Sequence, residues 1–179
     1  MLGLEEERYV VVRPPEIRAS YHPGASMETW AGVLKGLSSR GFTIVYMPRY
    51  GAEDPLLPRI QALTHGRVVV PSYDRGVDGP SLEFFAAAVI SGGATMAREA
   101  ALLGTPGITL YPGELYVNTF VSSLGLPLHS ASSAEEVLRI VDRYRGVDRG
   151  VLRGKAFRVV RGLESPMEQV LRALEELRR

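Results

Sequence analysis

Short β-branched runs that alternate with helix-periodic segments restrict this chain most. Residues 9–12 (YVVV), 42–47 (FTIVYM) and 67–70 (RVVV) are apolar, short and continuous. Such runs fit strands covered on both faces rather than one. Residues 88–90, 107–111 and a run near Pro127, Leu128 and His129 continue the series. Ser26 is placed to cap a helix that runs to Ser39, with Met27, Trp30, Val33, Leu34 and Leu37 on one face and Gly41 ending it. Residues 54–64, 81–87, 95–103 and 115–124 read as further helices. Ser132 or Ser133 with Glu135 or Glu136 forms a capping box for a helix to Tyr144, and Ser165-Pro166-Met167-Glu168 opens a last one. Strands separated by helices mean βαβ units. The expectation is an α/β, Rossmann-like, doubly wound parallel sheet of about six strands in the order 3-2-1-4-5-6, with helices on both faces.

Length supports one domain over residues 1–179, with a helical C-terminal segment over 147–179. Charge is close to balanced at +1, which does not point to nucleic acid. The chain has no cysteine, so disulfides, thiolate metal sites and a cysteine nucleophile are excluded. No apolar run approaches the about 20 residues that span a bilayer, and the acidic start lacks a signal-peptide pattern. A cytoplasmic protein is expected. Arginine outnumbers lysine, which with the missing cysteine leans weakly towards a thermophile. Between Arg139 and Arg161 there are eight basic residues and two acidic ones. This stretch reads as a solvated basic helix face, or as a peripheral contact with a membrane surface or another polyanion.

In a sheet of this order, ligands bind where strand order reverses, outside the carboxyl ends of strands one and four. The loops that meet there are 13–24 and 91–95. Ser91-Gly92-Gly93 turns a strand directly into a helix, and two glycines let the backbone come close to a ligand. The first amides of that helix, from Ala94 and Thr95, face outward with the positive end of the helix dipole behind them. This is an anion site by construction; the alternative is a turn that is tight only for packing. Glu99 lies one turn beyond Thr95 and suits a ribose diol, or else pairs with Arg98 or Arg67.

Arg13 ends strand one and can fork onto a phosphate, or pair with Glu16. His22 can reach a sugar or diphosphate, or pack beside Tyr21. Ser72 and Tyr73 follow strand three and can line a base pocket, or be solvated. Glu114 and Asn118 follow strand five and can hold sugar hydroxyls; Glu114 can equally balance a helix dipole. No His/Asp/Glu spacing resembles a metal site, so no metal and no cofactor are expected.

Residues 90–108, ISGGATMAREAALLGTPGI, resemble the nucleotide-binding segment of GT-B-type enzymes. They are most similar to a largely archaeal family of predicted glycosyltransferases, domain of unknown function family 354, itself similar to UDP-N-acetylglucosamine 2-epimerase. The glycine pair and the run Thr95-Met96-Ala97-Arg98-Glu99-Ala100-Ala101-Leu102-Leu103-Gly104-Thr105-Pro106 carry the likeness. YVVVRPP at 9–15, Ala19-Ser20-Tyr21-His22 and Val77-Asp78-Gly79-Pro80-Ser81 extend it more loosely. The likeness covers essentially the whole chain but only the C-terminal half of the family's usual length. It implies a diphosphate on Ser91, Gly92 and Gly93, and a ribose on Glu99, so UDP or a UDP-sugar is the expected ligand. The epimerase's histidine-arginine pair is not reproduced, since Arg13 stands at the strand end and His22 later.

The resemblance also implies that the N-terminal GT-B domain is absent. The expected function is the nucleotide-sugar-binding half of a glycosyltransferase or sugar-nucleotide epimerase, with little turnover alone. The alternatives are a non-catalytic module, either a homodimer or docked to a separate N-terminal-domain chain, and a polyanion or membrane-surface binder.

Overall fold

A computed structural model describes residues 3–15, 26–48, 57–72 and 76–178. Six parallel strands form one sheet: β1 (Tyr9–Arg13), β2 (Thr43–Tyr46), β3 (Val68–Val69), β4 (Ala88–Ser91), β5 (Gly107–Thr109) and β6 (Leu128–Ser130). Their order is β3-β2-β1-β4-β5-β6, as the alternation of runs predicts. The fold is therefore a Rossmann-like, doubly wound α/β domain. Helices α1 (Met27–Ser39), α2 (Leu57–Leu63), α3 (Gly79–Phe84), α4 (Thr95–Leu102), α5 (Tyr116–Ser123) and α6 (Ala134–Arg143) follow the strands in turn.

Side chains alternate across each strand, so β1 feeds two cores. Val10 and Val12 join Ile44, Tyr46, Ile90 and Ile108 beneath α1, α2 and α6. Tyr9 and Val11 join Val45 and Val89 beneath Leu82 of α3 and Ala100 of α4. Both faces of the central strands are thus dry, which is why residues 9–12 show no polar alternation. Gly107 explains how closely α4 sits on β5: a Cβ there would overlap the carbonyl of Ala97.

Several boundaries differ from the sequence reading. Strand β3 is in register with β2 at Val68 and Val69, the Arg67 carbonyl also accepts from Ile44 N–H, and the strand does not extend to Val70. Helix α3 starts at Gly79 rather than 81, because the Asp78 side chain caps it by accepting from Ser81 N–H. The capping box of α6 divides between two serines: Ser133 Oγ accepts from Glu136 N–H at 3.2 Å, while the Glu136 carboxylate takes Ser132 N–H at 2.7 Å. Within the segment 147–179, the described residues 147–178 hold two helices, α7 (Arg149–Arg161) and α8 (Pro166–Glu176), separated at Gly162. Ser165 caps α8 and Pro166 stands in its first turn, as the sequence predicts.

Candidate functional site

The strand order reverses between β1 and β4, where Arg13 lies in register with Ser91. The turn that follows β4 is held by its own hydrogen bonds. Gly92 N–H donates to the Arg13 carbonyl at 2.9 Å, and Gly93 N–H donates to Ser91 Oγ at 3.2 Å. The Thr109 hydroxyl of β5 donates to the Gly93 carbonyl at 2.9 Å. Ser91 is 1% exposed. The backbone of Pro15 lies directly over Gly92, in the space a Cβ would fill. The missing side chain at Gly92 therefore serves a close chain crossing. Gly92 and Gly93 both give their amides to the protein.

The donors that remain for a guest lie one step further on. The N-cap of α4 is Ala94, whose side chain cannot accept a hydrogen bond. The amides from Thr95 onward therefore start the helix without a side-chain cap, at the positive end of its dipole. Arg13 reaches over this turn: its Nη1 donates to Met96 Sδ at 3.7 Å, a weak acceptor. Among the described residues, no carboxylate pairs with Arg13. A cation beside a helix N-terminus is electrostatically unfavourable unless something negative sits with both.

Glu99 is exposed on α4, towards α3. It is not held by Arg98, whose Nη1 instead donates to Asn118 Oδ1 at 2.9 Å and whose Nη2 lies 3.4 Å from Thr95 Oγ1. Asn118 is 8% exposed, so its oxygen ties α5 to α4. Glu114 is exposed beside a cavity of about 790 Å³, lined also by Tyr111, Asn118, Thr119, Ser130 and Ser132. Helix α5 starts at this cavity, and its N-cap, Leu115, again offers no side-chain acceptor. Ser72 is exposed and lines a cavity of about 120 Å³ with Met47, Pro71 and Val77. Glu16, His22 and Tyr73 lie outside the described residues.

Two features were not legible beforehand. Glu83 of α3 is 2% exposed, and among the described residues its Oε2 has no hydrogen-bond partner. Burial pushes its carboxyl up to about 8, and the Glu99 charge adds to the effect. Nothing in the spacing of residues 79–84 marks this carboxyl as buried. Arg98 is the other, and its place in the run Thr95–Leu102 was the available signal.

The basic stretch from Arg139 to Arg161 is divided over α6 and α7. Arg149 is buried and donates to the Ala87 carbonyl, with Glu7 at 3.6 Å. Arg153 stacks 3.9 Å over the Phe84 ring and pairs with Glu6 at 2.9 Å. Arg145 lies 3.9 Å from Asp142. Arg161 lies 5.2 Å over the Phe157 ring, so at least four of the eight basic groups serve internal contacts. Among the described residues no metal-ligand cluster of three or more acidic or histidine side chains occurs, and no helix is long and apolar enough to cross a membrane.

The model of a family described as "Protein of unknown function (DUF354)" matches residues 1–171. No curated protein matches the sequence. Among solved structures, Os79 from O. sativa in complex with UDP shares 17% identity at a TM-score of 0.59, covering 88% of this chain and 36% of its own. The UDP-GlcNAc 2-epimerase of Neisseria meningitidis bound to UDP-GlcNAc shares 13% at 0.58, covering 97% and 45%. The Methanocaldococcus jannaschii UDP-GlcNAc 2-epimerase in complex with UDP-GlcNAc and UDP shares 14% at 0.55, covering 86% and 44%. The chain thus spans less than half the length of each of these three structures. At these identities the likeness shows the fold alone, a Rossmann-like α/β domain.

Proposed function

The chain belongs to the DUF354 family, and from that premise and the α4 geometry we propose that it binds the diphosphate of a nucleotide sugar, UDP or a UDP-sugar. One observation carries the reading: the Arg13 guanidinium, with no described carboxylate partner, leans over an α4 N-terminus that has no side-chain cap. A diphosphate supplies the missing negative charge to both. The Thr95 and Ala94 amides and Arg13 hold its oxygens. Ser91, Gly92 and Gly93 set the turn from which those amides project. Glu99, exposed one turn further, accepts from a ribose diol.

The cavity beside Glu114 and Asn118 receives the sugar, with Asn118 contributing its amide nitrogen because its oxygen is engaged by Arg98. Ser72 borders the base. In this reading the chain is the nucleotide-binding half of a GT-B-type glycosyltransferase or UDP-sugar epimerase, with little turnover alone. The named structural neighbours with UDP or UDP-GlcNAc bound, and their greater length, support it.

Calorimetric titration with UDP and UDP-N-acetylglucosamine tests the proposal. Binding is expected, and Arg13→Ala should weaken it about tenfold or more, the scale of a charge-assisted bond to phosphate. No heat and no thermal shift at millimolar UDP would overturn the reading.

A further inference from the structure

Arg98 is a cation whose bonds within the fold do not call for a charge. Its Nη1 donates to Asn118 Oδ1 at 2.9 Å and its Nη2 to Thr95 Oγ1 at 3.4 Å, and both acceptors are neutral. Among the described residues no carboxylate pairs with it. A glutamine could donate to the Asn118 oxygen without carrying a charge. Arg98 is the fourth residue of α4 and Asn118 the third of α5, so the guanidinium stands between two helix starts that lack side-chain caps. A cation is unfavourable at each of these positive ends. The fold alone therefore gives no reason for the charge.

The two flanks of α4 face different neighbours. On one flank Met96 packs with Leu82 of α3, and Arg13 reaches Met96. On the other, Ala97 and Ala101 pack with Val121 of α5, and Arg98 reaches Asn118. On a helical projection Met96 and Arg98 lie about 160° apart, with Thr95 between them. Arg13 and Arg98 thus approach the same helix start from opposite sides. Asn118 is 8% exposed and lines the cavity of about 790 Å³. The bond from Arg98 fixes its oxygen and leaves its amide nitrogen to that cavity. One arginine therefore joins the mouth of α4 to the cavity wall.

We propose that Arg98 selects diphosphate sugars: it holds the phosphate that carries the sugar and turns the Asn118 amide towards that sugar. The inference rests on the nucleotide-sugar reading and adds a second cation to it. Arg13 serves the phosphate next to the nucleoside, on the side of Glu99. Arg98 serves the phosphate next to the sugar, on the side of Asn118, and each guanidinium forks onto phosphate oxygens. The amides of Ala94 and Thr95 lie between the two. A nucleoside monophosphate lacks the second phosphate and gains nothing from Arg98.

Calorimetric titration of the full chain with UDP and UDP-N-acetylglucosamine, and with UMP by displacement of UDP, tests it. Arg98→Ala should weaken UDP on the order of tenfold more than UMP. UDP-N-acetylglucosamine should lose more still, since Asn118 is then free to turn. Arg13→Ala should weaken all three. Asn118→Asp separates this role from support of the fold. It gives Arg98 the carboxylate it lacks, so the contact between α4 and α5 is kept and the melting temperature should not fall. Yet UDP and UDP-N-acetylglucosamine should again lose about tenfold relative to UMP, because the guanidinium is already neutralised. If the wild type binds UDP and both variants keep its ratio of UDP to UMP affinity, the role of Arg98 is overturned and the nucleotide-sugar reading stands. If the wild type binds none of the three, both fall together.

Discussion

Among the described residues, helix starts fall into two groups. At α1, α3, α6, α7 and α8 a side-chain oxygen of Ser26, Asp78, Ser133, Asp148 or Ser165 accepts from an amide of the first turn. At α4 and α5 the cap positions hold Ala94 and Leu115, which have no such oxygen. These two helices follow neighbouring strands, β4 and β5, at the carboxyl edge. A cap contributes about 1 kcal/mol, so the chain leaves that stabilisation unused at two adjacent places. Each has an arginine beside it with no described acid, but Arg98 at α5 is tied to Asn118 Oδ1, whereas Arg13 at α4 meets only Met96 Sδ. Where the protein supplies its own acceptor, the helix end is finished. Where it does not, an outside acceptor has room.

The largest expected effect lies on the flank of α4 and separates its open mouth from its closed side. The unfolded chain releases the Glu83 proton near the ordinary value of 4.5, the folded chain only near 8. Between these values the native state holds an extra proton. This group's contribution to stability is therefore greatest below about pH 4.5 and falls as pH rises towards 8, by up to about 1.4 kcal/mol per pH unit. Glu83→Gln removes this slope. Denaturant melts from pH 5 to 8 should show the variant gaining steadily on the wild type; parallel curves would sink the assignment.

Placing a carboxylate at the mouth tests the contrast directly. Thr95 is exposed at the first position of α4. Thr95→Asp should stabilise the free protein by about 0.3–1 kcal/mol through the helix dipole. The same change should weaken UDP binding at least tenfold by like-charge repulsion. Stability and affinity moving together in calorimetry would break the distinction between finished and unfinished starts. The smallest effect belongs to the other group: Ser133→Ala should cost about 1 kcal/mol in a urea melt and leave UDP affinity unchanged.

Much of this architecture was legible in residue order. Continuous β-branched runs identified strands dry on both faces, and Ser26 and Ser165 marked helix starts from local chemistry alone. The places of Arg13 at a strand end and of Ala94 before a helix start were legible, because strand ends and helix starts are local properties. The roles of neighbouring residues were less so. Gly92 read as room for a ligand, yet the space beside it is taken by Pro15, which arrives from another loop. Asn118 read as a sugar contact, yet its oxygen faces Arg98 across twenty positions of sequence. Helix α3 began earlier than its apolar residues suggested, because Asp78 and not the hydrophobic pattern set its start.

The sequence by itself determined the alternation of strand and helix, and with it the sheet order and the edge where a ligand can meet backbone amides. Those follow from periodicity, turn residues and the handedness of crossovers, which act over short stretches of chain. Only the tertiary structure decided which polar groups are already bonded and which carboxyl is buried. Each of these depends on what a distant segment brings alongside, and single-residue chemistry carries no record of that neighbour.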